Sequence, residues 1–173
     1  MSGPFDPIRR TSGAGHALQK SVWTDADFAA MGWHDCRILA LALVADDEDE
    51  SAARLLIDLD YIVRWVDGGT PGAAFSFWIA PATLIFHGVY HLEGSISGGE
   101  ADGFEVDGIS RKPVDDRLGY DQWASESDLA LRFRAAGYRQ IIRREPLHVP
   151  GQRLSCDRRG GISFSERSYD DES

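Results

Sequence analysis

Along residues 54–66, RLLIDLDYIVRWV, apolar side chains recur at every second position. Leu55, Ile57, Leu59, Tyr61, Val63 and Trp65 share one face of an extended strand, which the pattern assigns to a core. Leu56, Asp58, Asp60, Ile62, Arg64 and Val66 share the other, which reads as a mixed, solvated face with Arg64 partnering the two aspartates. CRILALALV (36–44) alternates more weakly and predicts a second strand, ended by the acidic run DDEDES at 46–51. FSFWIAPATLIFHGV (75–89) is strand-like but changes parity. Its large residues are odd-numbered before Pro81 (Phe75, Phe77, Ile79) and even-numbered after it (Leu84, Phe86). A one-residue slip sends every side chain to the opposite face, so the pattern predicts a bulge at Ala80-Pro81-Ala82, where proline is tolerated.

The remaining segments are shorter. TDADFAAMG predicts one short helix, with Thr24 as N-cap, Asp25 and Asp27 in the first turn and Gly32 as terminator. After a turn at Gly88, YHLEGSI and GFEVDGISRK read as strands, and residues 113–128 as polar and irregular. DLALRFRAAGYRQIIRRE predicts a hairpin about Ala136-Gly137, with Gly137 able to take a positive φ and Pro146 ending it. A two-residue turn there sets Arg134 opposite Arg139 and Phe133 opposite Gln140. Leu131, Phe133, Tyr138 and Ile142 then form an apolar face, and Arg132, Arg134, Arg139 and Arg143 line the other. Ile162–Phe164 offers a last short strand. The expected fold is mainly β: a sandwich or open barrel of about six to eight mostly antiparallel strands with one short N-terminal helix. The expected organisation is a loose arm at 1–20, a single domain at 21–165 and an acidic tail at 166–173.

Charge sharpens this picture. The 173-residue chain carries a net charge of −10, which argues against nucleic-acid and anionic-membrane partners and permits a basic protein partner. Residues 129–159 run the other way, with eight arginines against Glu145 and Asp157. Four arginines on one strand face require something acidic nearby. The candidates are this chain's own acids (Asp115, Asp116, Asp121, Glu126, Asp128), or a small anionic ligand or acidic partner held by forked guanidinium groups. Two cysteines, Cys36 and Cys156, make a disulfide framework improbable. With no secretory leader and no long apolar run, the expected location is the cytoplasm.

WHDCRI, DLDYIVRW, FSFWIAPATLIFHGV and GYRQIIRREP resemble, over residues 33–155, an uncharacterised family of small bacterial proteins. That family has the order W-H-D, D-[IL]-D-Y-I, F-x-I-A-P-A-T-L-x-F, Q-x-x-R-x-x-P. More distantly, the strand–HD–strand opening is similar to immunity proteins of bacterial toxin systems. The resemblance implies an immunity or accessory role and carries no reaction or catalytic residue.

Candidate chemistry is sparse. His34 and Asp35 are adjacent and read as a strand-entry turn; acid–base work would need a third group. His87 and His91 would lie about 13 Å apart on a continuous strand, too far for one metal. Asp58 and Asp60, about 7 Å apart, satisfy the carboxyl spacing of glycoside chemistry, as every Asp-x-Asp on a strand does. Phosphate-loop, dinucleotide, zincin and nucleophile-elbow motifs are absent from the sequence. The expectation is therefore a non-catalytic binding protein with no cofactor or metal, binding through Arg132, Arg134, Arg139, Arg143, His34, Asp58 and Asp60. A homodimer joined at a sheet edge is an open alternative, as is an enzyme, metal-assisted or not, using the His34, Asp58, Asp60 and His87 region.

Overall fold

The longest strand of the protein, Ser76–Ile96, organises everything around it. The computed structural model describes residues 15–16, 18–46, 52–97, 103–114 and 117–172. The predicted arm, the acidic run after Asp46 and the pair Asp115 and Asp116 lie wholly or mostly outside them. Nine strands are described: β1 (Val22–Thr24), β2 (Cys36–Ala45), β3 (Ala53–Val66), β4 (Ser76–Ile96), β5 (Phe104–Lys112), β6 (Asp121–Ser127), β7 (Leu129–Ala135), β8 (Gly137–Ile142) and β9 (Leu147–Val149). All pairings are antiparallel, in the order β1-β8-β4-β3-β2-β5-β6-β7. The far end of β4 also pairs with β7, so the sheet curls back on its longest strand without forming a closed barrel. The mainly β, antiparallel expectation holds. None of the described helices is long and apolar enough to cross a membrane.

The predicted helix is a single 3-10 segment at Asp25–Ala30 with Thr24 as its N-cap. The Thr24 amide donates to Asp27 Oδ2 at 2.9 Å. The hydrogen bond from Lys20, followed by that from Thr24, holds the Asp27 carboxyl below its ordinary range. The segment ends at Met31, whose amide bonds Phe28 O, one residue before the expected Gly32.

Several local expectations are corrected. Pro81 sits in an unbroken ladder opposite Asp60, and the irregularity lies across the pair, in β3 between Ile62 and Arg64. Proline is accommodated there because Pro81 O accepts from Arg143 N. The N and O of one strand residue point to the same side, so the missing N–H faces the neighbours on β4's other edge. That ladder is interrupted at this point: β9 ends opposite Ile79 and β8 begins opposite Ala82. Pro81 thus occupies a local edge inside a long strand. The parity change needs no bulge, because both faces of β4 are covered. Phe77, Leu84 and Phe86 belong to the main core, while Ile85 packs with Leu56 and Ile141 in a second cluster.

Gly88 does not end the strand. It adopts φ 63° within β4, and the YHLEGSI segment continues the same element. Residues 121–127 form β6, and its Trp123 is fully buried. No strand forms at 162–164, where Phe164 instead covers the second cluster.

β7 and β8 are not a hairpin. Both pair with β4, end to end along one edge, β7 through Leu129–Arg134 and β8 through Gly137–Ile142. Arg134 therefore stands opposite Tyr90 and Gln122, and Arg139 opposite Ile85 and Thr24. The apolar face survives without the hairpin: Phe133, Tyr138 and Ile142 enter the main core and Leu131 packs on it. Gly137 is required for close approach and not for a positive φ, since a Cβ there would fall 2.1 Å from Asp25 Oδ2.

The odd face of β3 behaves as its period demands. Leu55, Ile57, Leu59 and Tyr61 are buried in the main core, with Val63 and Trp65 packed against it. Cys36, on β2, is buried in the same core, and burial pushes its thiol up to about 12. Cys156 is exposed. Native protein at pH 8 is expected to release one equivalent of thiolate from an aromatic disulfide reagent, and a second only after denaturation. Two equivalents released at once from native protein would contradict the burial of Cys36.

Candidate functional site

The two aspartates that looked solvated are the most deeply buried acids described. Asp58 and Asp60 are both fully buried. They lie on the same side of the sheet as Thr83, Ile85 and Ile141, the side of the second apolar cluster. Their neutralising partners come from far along the chain. The short helix Cys156–Arg159 delivers Arg159, 3% exposed, over β3. Its guanidinium donates through Nη1 to Asp58 Oδ2 (3.0 Å), through Nη2 to Asp58 Oδ1 (2.7 Å) and through Nε to Asp60 Oδ1 (3.0 Å). A further Nη1 bond reaches the Gly161 carbonyl. Arg143, just past β8, donates to Asp58 Oδ1 (2.6 Å) and Thr83 Oγ1 (2.7 Å). The Ser163 amide donates to Asp58 Oδ2 at 3.1 Å, and Thr83 Oγ1 donates to Ser165 O at 2.8 Å.

Two carboxylates and two guanidinium groups thus share one buried compartment roofed by the C-terminal segment. Burial raises the Asp60 carboxyl above its ordinary range, outweighing the nearby charge and hydrogen bond of Arg159. Burial also works against the Arg159 charge. The hydrogen bonds and charges of Asp58 and Asp60 together exceed it and hold that guanidinium above its usual value. For Arg143 desolvation prevails and the shift is downward. Arg64, the expected partner, turns away and donates to Gly15 O at 2.7 Å.

The other expected residues are scattered. Arg132 is exposed and lies 3.6 Å from Glu93. Arg134 and Arg139 are half-buried. Among the described residues, the carboxylates that meet the arginine series are thus Asp58 and Glu93; Asp121 is engaged by Arg111. His34 lies in the turn before β2 with Nε2 3.6 Å from Asp35 Oδ1, its ring stacked on Trp65. His87 is half-buried on β4 opposite Gly137, and among the described residues it joins no metal-ligating group with Asp58, Asp60 or His91. The proposed His34/Asp58/Asp60/His87 constellation is therefore not assembled. Sequence reasoning missed Arg159, although two acids on a strongly apolar strand and an arginine excess downstream were its signals. Comparison with family models, curated proteins and solved structures finds no match to this chain.

Proposed function

We propose that this chain is a non-catalytic binding protein of the immunity or accessory type, which takes an extended strand from a basic protein partner along the open edge of β2. The observation that carries this reading is the second half of that strand. From Ala40 to Ala45 it pairs with β3 on one side, whereas among the described residues its other side is covered only from Cys36 to Ile38, by β5. Leu41, Leu43 and Val44 are 38%, 57% and 37% exposed. Charges and proline, the usual devices that blunt an edge against pairing, are absent from Ile38–Ala45. Leu41 and Leu43 stand opposite Ile57 and Leu55 and extend the core-facing side of the sheet past its cover. An added strand would complete the ladder and shield both leucines. The net charge of −10 opposes a second copy and favours a basic partner. Against catalysis stands the burial of Asp58 and Asp60 under two arginines, which leaves neither carboxylate free to exchange a proton with a substrate.

The test uses an acetylated ten-residue peptide of alternating valine and lysine. Saturable binding by fluorescence anisotropy is expected, with slowed hydrogen exchange confined to residues 40–45. A Leu41→Ser, Leu43→Ser variant is expected to bind about tenfold more weakly, the loss that 1.4 kcal/mol represents. Unchanged exchange at β2, or binding indifferent to both substitutions, refutes the reading. A dimer seen by sedimentation and abolished by the same variant would reassign the edge to self-pairing.

A further inference from the structure

The ladder between β2 and β5 brings together three donor groups that are distant in sequence. Cys36 pairs with Val106, so the antiparallel register places Asp35 opposite Asp107. Two irregularities aim the side chains. Asp35 has φ 59°, a left-handed conformation that releases the His34-Asp35 pair from the alternation that would part them. Asp107 lies where the β5–β6 register shifts between Val106 and Gly108, and bulged positions commonly re-aim a side chain. The result is a surface cluster in which one donor atom each of His34, Asp35 and Asp107 lies within 4.8 Å of the others.

We infer that His34, Asp35 and Asp107 bind a divalent transition-metal cation of the zinc class. The spacing suits it: a metal about 2.0–2.2 Å from a nitrogen and an oxygen at the tetrahedral angle separates them by about 3.4 Å. His34 Nε2 and Asp35 Oδ1 stand 3.6 Å apart. The other Asp35 oxygen accepts from Gln152 Nε2 at 2.8 Å, and the His34 ring is steadied by Trp65 at 6.1 Å between centroids. Such outer contacts orient ligands in metal sites. Two carboxylates are drawn together here, and among the described residues neither meets a lysine or arginine that would neutralise it. One imidazole with two carboxylates and no thiolate favours zinc or manganese over magnesium and calcium. Three protein ligands leave at least one position open to water or to a partner's side chain. The site is independent of the β2 edge, and either could exist without the other.

Zinc chloride titrated calorimetrically into the EDTA-dialysed full chain is the test, with His34→Ala and Asp107→Asn as variants. One saturable site per chain is expected. Each variant should weaken it about tenfold or more, since even outer contacts cost that much. Cobalt(II) in place of zinc should give a visible absorption band that both variants lose. Asp107→Asn preserves size at an exposed position, so it keeps the test decisive if His34→Ala disturbs the Trp65 stack, with circular dichroism reporting the fold. No saturable zinc binding, or binding undiminished in Asp107→Asn, overturns the inference.

Discussion

Replacing Arg159 with leucine is expected to destabilise the protein by about 3–5 kcal/mol, the usual cost of removing one partner from a buried ion pair. The guanidinium is almost fully enclosed and makes three bonds to two interior carboxylates. Without it Arg143 remains for Asp58, and Asp60 keeps no charged partner within ion-pair distance among the described residues. Arg159→Lys should recover only part of the loss, because a single ammonium cannot span both aspartates as the planar fork does. The deficit should also depend on pH. The Asp60 carboxyl is already raised by burial, and losing Arg159 raises it further. A folded-state value above the unfolded one means that the native state binds the extra proton. Its contribution is therefore full below the ordinary carboxylate range and is lost as pH rises through the folded value. The Arg159→Leu deficit should accordingly be largest near neutrality and shrink on acidification. Urea midpoints at pH 4.5 and 7 measure both effects. A loss below about 1 kcal/mol at pH 7 would show that the cluster contributes little to holding the C-terminal segment down.

Phe86→Ala is expected to cost about 3–5 kcal/mol by creating a cavity at the centre of the aromatic core. Phe86 is 1% exposed, with ring centroids 4.7 Å from Phe133, 5.1 Å from Trp123 and 6.2 Å from Tyr138. These rings come from β4, β6, β7 and β8, so truncation loosens four strands at once. Phe86→Leu, which keeps more of the volume, should lose clearly less. Equal losses for the two substitutions in urea unfolding would contradict a cavity as the cause.

How far residues announced this architecture depended on whether the deciding partner was local. The odd face of β3 was readable because large apolar residues at period two leave no competing interpretation. Its even face was misread for a physical reason. Asp58 and Asp60 look wet to any local pattern, and the arginine that makes their burial tolerable is about a hundred residues away. The parity change at Pro81 was real, but a strand covered on both faces explains it as well as a bulge does. Ala136-Gly137 looked like a turn because the pattern could not show that β4 is long enough to accept β7 and β8 in series. The His34-Asp35 pair was visible, whereas Asp107 emerged only from the register between β2 and β5.

The position of the counter-charges in the chain has a consequence for biosynthesis. Translation delivers Asp58 and Asp60 first, within the central strand pair, and delivers Arg143 and then Arg159 only 85 and 101 residues after Asp58. Until both arginines have left the ribosome, closing that side of β3 would bury anions without cations, at a cost of several kcal/mol per ion. The nascent polypeptide must therefore wait, its central strands formed on one side only, and complete its fold once Arg159 has emerged. A chain that stops short of Arg159 is then not a smaller folded protein but an arrested one, with an anionic face still turned to water.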